Sequence, residues 1–262
     1  MPLATHSNTH YYVFMIMDVV ALREFYASRL GEAAVASVSA SISAMWHQSH
    51  GERFMGLGYP VPWLERFSPD CERTICMMPA AQGALQWPSS QNPATALTYD
   101  DELPLRDGSV DRILMVHFLE HAENADECIS EAFRVLSPGG VLMIVVPNRT
   151  GLWARFEHTP FGTGKPYSRR QLNRLLKNNQ FTPDVWSDAL HFAPSSRDFM
   201  LKFRGSVERV GRRFFPAFAG SICVCASKQL YQGIPVTAKA RRRVAVPVLV
   251  PQGTSRANRD KS

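Results

Sequence analysis

Residues 111–147 read DRILMVHFLEHAENADECISEAFRVLSPGGVLMIVVP. The stretch divides into three. DRILMVH, Asp111 to His117, is a short apolar run that predicts a buried strand. Asn124 to Leu136 places Cys128, Ile129, Ala132, Phe133 and Leu136 on one stripe of an amphipathic helix. SPGG at 137–140 stops that helix, and Val141 to Val146 is a fully apolar strand. Strand, helix, strand in this order is a βαβ unit: parallel strands, a right-handed crossover, and a sheet covered on both faces.

The alternation continues on either side. Asp18 to about Gln48 predicts helix, with Val19, Leu22, Phe25 and Tyr26 on one face and a break at Gly31 before a second segment, Ala33 to Trp46. Arg53 to Leu57, Arg73 to Met78 and Thr95 to Tyr99 are strand candidates, the last rich in Thr and Ala. Trp63 to Phe67 predicts a short helix after Pro62, since a proline is tolerated in a first turn. Ser168 caps a helix over Arg169–Asn178 whose Leu172, Leu175 and Leu176 point inward. Ala219 to Lys228 predicts the final strand.

The chain has 262 residues, 45% of them apolar, enough for one large α/β domain with a real core. The expected organisation is an N-terminal extension (1–17), a domain (18–231, with N-terminal helices over 18–48 and a core over about 50–230) and a disordered basic tail (232–262). The net charge of +6 sits in that tail. Residues 1–231 hold 22 Lys and Arg against 22 Asp and Glu, so the body is balanced and nucleic acid is not the expected partner. No run of about 18 apolar residues suggests a membrane span, and the N-terminus lacks an export pattern, so a cytoplasmic location is expected. Cysteines 71, 76, 128, 223 and 225 form no CxxC pair and read as reduced, buried thiols.

RFMGLGYPVPW, residues 53–63, holds the candidate ligand loop. Gly56 and Gly58 follow a strand and precede a helix, where an open α/β sheet binds ligands. Pro60 and Pro62 lack N–H groups, so the loop is a poor phosphate cradle and a pyrophosphate cofactor is not expected. The second strand ends in Cys76-Met77-Met78-Pro79, with no acid to hold ribose hydroxyls. The third ends in Asp100-Asp101-Glu102, acceptors for an amine or hydroxyl, or else a solvated turn.

LPLRDGSVDRILMVHFLEH (103–121), EAFRVLSPGGVLMIVVPN (131–148) and YSRRQLNRLLKNNQF (167–181) resemble the class I S-adenosylmethionine-dependent methyltransferases, and among them the type 11 methyltransferase-domain group. The resemblance covers roughly residues 50–230. It implies a Rossmann-like α/β fold: a mostly parallel seven-stranded sheet with helices on both faces and an antiparallel last strand. It implies S-adenosylmethionine as cofactor and a transferase acting on a small molecule. By position, Gly56, Gly58 and Tyr59 would form the glycine loop, Met78 would stand at the ribose-acid position, and Asp101, Glu102 and Leu103 would flank the adenine. His117, as a general base or substrate contact, and Glu120 would face the reacting centre. The sequence departs from the family pattern in the shortened glycine motif and in Met78. Losing a charge-assisted hydrogen bond to ribose would cost about 1.5–3 kcal/mol. A non-catalytic methyltransferase-like protein that binds a partner protein is therefore the alternative reading.

HFLEH (117–121) also matches the H-x-x-E-H zinc signature. His117 ends a strand-like run, so the two histidines should not share a helix, and no metal is expected. The long segment NRTGLWARFEHTPFGTGKPY carries Asn148, Trp153, Phe161 and Tyr167, which are expected either to contact substrate or to form an irregular cover.

Overall fold

The structure is a computed structural model that describes residues 16–46, 50–89, 92–195 and 218–229. The expectations for residues 1–15 and for the basic tail lie outside the described residues. All described residues belong to one compact unit, Met1–Leu230.

Seven strands form one sheet: β1 (Arg53–Gly58), β2 (Arg73–Pro79), β3 (Thr95–Thr98), β4 (Val110–Val116), β5 (Leu136–Pro147), β6 (Phe181–Ala189) and β7 (Ser221–Lys228). Their spatial order is β3-β2-β1-β4-β5-β7-β6. The pairs among β1 to β5 are parallel, while β7 is antiparallel to both β5 and β6. Helices α1 (Val19–Ala27), α2 (Arg29–Met45), α3 (Val61–Phe67), α4 (Ala125–Val135) and α5 (Arg169–Asn178) complete the fold. Two 3-10 turns, Trp153–Arg155 and Pro160–Gly162, lie in the segment after β5.

Alternation along the strands builds two cores. Phe54, Cys76, Leu114, Val116, Met143, Val145 and Cys223 face one side with Leu22, Tyr26, Val38, Ile42 and Trp63 of α1 to α3. Met55, Leu57, Ile113, Met115, Leu142, Ile144 and Val224 face the other with Ile129 of α4 and Leu172 and Leu176 of α5. Period 2 in the strands explains this partition. The α4 stripe is buried at Cys128, Ile129 and Ala132, as its spacing predicts, and Leu136 is buried as the first residue of β5.

Two expectations change. The helical break falls at Ser28, not Gly31. Ser28 ends α1 and caps α2, its Oγ accepting from Gly31 N at 3.1 Å. A Cβ on Gly31 would lie 2.0 Å from the Phe25 carbonyl oxygen, so this glycine lets two helices meet at a corner. SPGG stops α4 but lies within β5: Val110 pairs with Leu136 and Arg112 with Val141, so residues 137–140 bulge from the ladder. β6 was legible only through the implied strand count, because FTPDVWSDA carries a proline and acids rather than an apolar run.

Candidate functional site at the C-terminal edge of the sheet

The strand order reverses between β1 and β4, so the crevice outside their carboxyl ends is where an open α/β sheet binds its ligand. Gly58 ends β1 with φ of +89°, and a Cβ there would lie 2.2 Å from the Val116 carbonyl oxygen. That same oxygen accepts from Tyr59 N at 2.7 Å. Only glycine lets the chain turn this close to β4. A Cβ on Gly56 would meet Pro60 Cγ at 2.4 Å, so the loop is packed onto its own proline.

His117 follows β4 directly and takes a left-handed φ of 53°. A non-glycine residue there costs about 1–2 kcal/mol, so the surroundings must hold it. They do: Tyr26 Oη lies 2.6 Å from His117 Nε2, and Glu120 Oε1 lies 2.9 Å from Nδ1. With the Nδ1 proton toward Glu120, Nε2 accepts from the tyrosine hydroxyl. All three residues are buried. Glu120 Oε2 has no hydrogen-bond partner among the described residues, although Glu120 is only 2% exposed. The Phe161 ring stands edge-on to His117 at 4.8 Å between centroids. The Tyr167 hydroxyl donates to the Leu119 carbonyl.

Burial sets the tyrosines. It raises Tyr26 well above its ordinary value, with Tyr59 and Glu120 adding to the effect. It pushes Tyr59 up to about 12. Both are therefore protonated hydrogen-bond donors.

A cavity of about 420 Å3 opens along the same edge of the sheet. Ala80 and Ala81 line it after β2, Thr98 to Asp101 after β3, and Glu123, Asn124 and Glu127 at the start of α4. Burial raises the Asp100 carboxyl, with Asp101 and Glu123 nearby adding to it. Burial chiefly raises the Cys128 thiol, and the Asp100 and Glu120 carboxylates add to the effect.

The sequence-derived candidates separate in the folded chain. Gly56, Gly58, Tyr59, His117, Glu120 and Phe161 gather at the β1/β4 crevice, and Asp101 lines the cavity. Met78 does not line the cavity: it is 1% exposed in the core and its Sδ accepts from Leu85 N. Leu103 packs in the other core with its N–H on Glu131. Glu102 is exposed, and its carbonyl accepts from Thr98. Asn148 and Trp153 act within the cover, bonding the carbonyls of Ala219 and Phe192. Residues 117–121 are bends and turns, so His117 and His121 share no helix. Tyr26 was read only as one of four apolar-face positions. Nothing local marks its hydroxyl as a partner for a residue 91 positions away.

The sheet order is that of a class I methyltransferase-type fold. Residues 55–144 match the family model described as a methyltransferase domain. A relative in Mycolicibacterium smegmatis, named "Probable S-adenosylmethionine-dependent methyltransferase", is 40% identical over 72 residues, covering 28% of this chain. One of the same description in Mycobacterium tuberculosis is 32% identical over 125 residues, 46% of this chain. The matches span only 26% and 43% of those relatives' own lengths. The solved structure of an S-adenosylmethionine-dependent methyltransferase from Thermotoga maritima shares the fold with a TM-score of 0.56 and 15% identity, over 80% of this chain and 96% of that one. No helix among the described residues is long and apolar enough to cross a membrane.

Proposed function

We propose that the chain is an S-adenosylmethionine-dependent methyltransferase acting on a small-molecule acceptor. One observation carries the reading: the sheet edge holds an acid-lined cavity together with a buried histidine–glutamate pair at the β1/β4 switch point. The residues fit the nucleoside half of the cofactor. Ala80 and Ala81 leave room after β2, and Asp100 and Asp101 offer acceptors for an exocyclic amine or hydroxyl. The task expected of an acid at the Met78 position passes to carboxyls across the cavity, Glu123 and Glu127 among them. Gly56, Gly58 and Tyr59 would hold the methionine half.

The bound cofactor supplies a methyl group on an already activated sulfonium. The chain's own work is alignment and the removal of a proton. His117 Nε2 is the atom that receives the acceptor's proton, and Glu120 fixes the ring through Nδ1. Phe161, Trp153 and Tyr167 keep water from the reacting centre, and Asn148 anchors that cover beside β7.

Calorimetric titration with S-adenosylmethionine and S-adenosylhomocysteine tests the reading. Ala81→Arg is the control, since Ala81 is exposed on the cavity wall and its replacement leaves both cores intact. Micromolar binding that Ala81→Arg abolishes supports the proposal. No heat at millimolar ligand from a folded protein overturns it and favours a partner-binding role.

A further inference from the structure

The switch-point crevice is already filled. The Tyr26 ring enters it from α1, with its hydroxyl on His117 Nε2 at 2.6 Å. It stacks on Tyr59 at 5.7 Å and 13°, and meets Trp63 edge-on at 5.4 Å. These contacts make a slot for one aromatic ring, ending in a proton acceptor. A nucleophile activated by His117 must reach the same Nε2, because Nδ1 is engaged by Glu120. The buried, unpartnered Glu120 Oε2 shows that hydrogen-bonding capacity remains at this site when Tyr26 is in place.

We propose that Tyr26 is a built-in stand-in for the methyl acceptor: its phenol ring fills the acceptor subsite, α1 withdraws to admit substrate, and the acceptor is a compound with an aryl hydroxyl. This inference rests on the methyltransferase reading above.

The element carrying the ring is suited to move. α1 has nine residues, too short to be stable alone, and buries only Val19, Leu22 and Tyr26. Extended backbone at Ser28 separates it from α2. Its first residue is tied to the loop after β2 through Val19 N to the Gln82 carbonyl at 2.9 Å. When an acceptor replaces the ring, its O–H proton passes to His117 Nε2. The oxygen's electron pair forms the new bond to the methyl carbon of S-adenosylmethionine. The methyl–sulfur bond breaks with its pair on sulfur, giving an aryl methyl ether and S-adenosylhomocysteine.

The test uses the full chain, with 4-methylphenol as probe and toluene as its hydroxyl-free control. Tyr26→Phe keeps the ring and removes the hydroxyl that latches α1 closed. By calorimetry, Tyr26→Phe should bind 4-methylphenol about five- to tenfold more tightly than wild type, because the open form is more populated, and toluene, which makes no hydrogen bond to His117, should bind more weakly than 4-methylphenol to either protein. Equal or weaker phenol binding by a folded Tyr26→Phe protein overturns the proposal and leaves Tyr26 a packing residue. Adding S-adenosylmethionine should then yield 4-methylanisole by mass spectrometry. Cofactor and phenol both bound without product overturns the acceptor assignment alone. No cofactor binding removes the methyltransferase reading, and the proposal with it.

Discussion

Gly58 and Gly139 share a positive φ, +89° and +77°, and differ in what surrounds them. A Cβ at 139 meets nothing within 4 Å, whereas at 58 it would press on the Val116 carbonyl and on Phe118. Gly139→Ala should therefore cost only the backbone penalty, about 1–2 kcal/mol. Gly58→Ala should cost about 2–4 kcal/mol, because overpacking adds to that penalty. Urea midpoints of the two variants check the ordering. Asp111 is a second case. It accepts from Arg53 N, Nε and Nη2 and from Ser137 Oγ. The Arg53 hydrogen bond, aided by Ser137, holds its carboxyl well below the usual carboxylate range. A depressed folded value means the stabilisation is complete above the unfolded value of about 4 and fades as pH falls toward the folded one. Asp111→Ala should lose about 2 kcal/mol at pH 7. The gap to wild type should narrow below about pH 4, as followed by thermal unfolding across pH.

At the scale of elements, the α1–α2 corner and the cover after β5 behave differently. Ser28 serves both sides of the corner, its Oγ donating to the Phe25 carbonyl and accepting from Gly31 N. Ser28→Ala should cost about 1 kcal/mol. Its signature should be faster hydrogen exchange at the α1 amides from Leu22 on, with β4 and β5 unchanged. The cover is a packed element. Trp153 is fully buried, donates Nε1 to the Phe192 carbonyl, and packs edge-on to Phe161 and Phe192. Gly220 is small because the indole lies where its Cβ would go, 2.4 Å from Trp153 Cδ1. Trp153→Ala should cost about 3–5 kcal/mol in chemical denaturation, the range for deleting a buried aromatic.

For the whole molecule, the sheet separates its two cores, and the five cysteines report on that division. Cys76, Cys223 and Cys225 lie in the α1–α3 core and Cys128 in the α4–α5 core, while Cys71 is half-buried. Burial pushes Cys76 and Cys223 up to about 12 and Cys225 to about 11. A thiolate-selective reagent at pH 8 should therefore modify native protein at Cys71 alone on a short timescale, and all five cysteines in denaturant. Rapid reaction of a second native thiol would mean that a core opens locally. The reversal of strand order also belongs to this scale, since it brings the ends of β1 and β4 together as one crevice.

The βαβ unit at 111–147, the α4 stripe, the Ser168 cap and the strand sequence through β5 were all legible in the chain. Each rests on a local period or on a residue whose backbone chemistry acts within four positions. Gly58 was also legible as the glycine at the turn after a strand, and His117 and Glu120 as neighbours at a strand end. The sequence by itself could not place β6, whose pattern is polar, nor tell that Gly31 serves a helix corner, nor separate Met78 and Leu103 in the cores from Asp101 on the cavity wall. One-residue differences along a strand decide which face a side chain takes, and only the assembled sheet sets that register. The tertiary structure alone brought Tyr26 to His117. A contact across 91 residues leaves no trace in local periodicity, because it depends on how α1 docks over a crevice that exists only once β1 and β4 are paired.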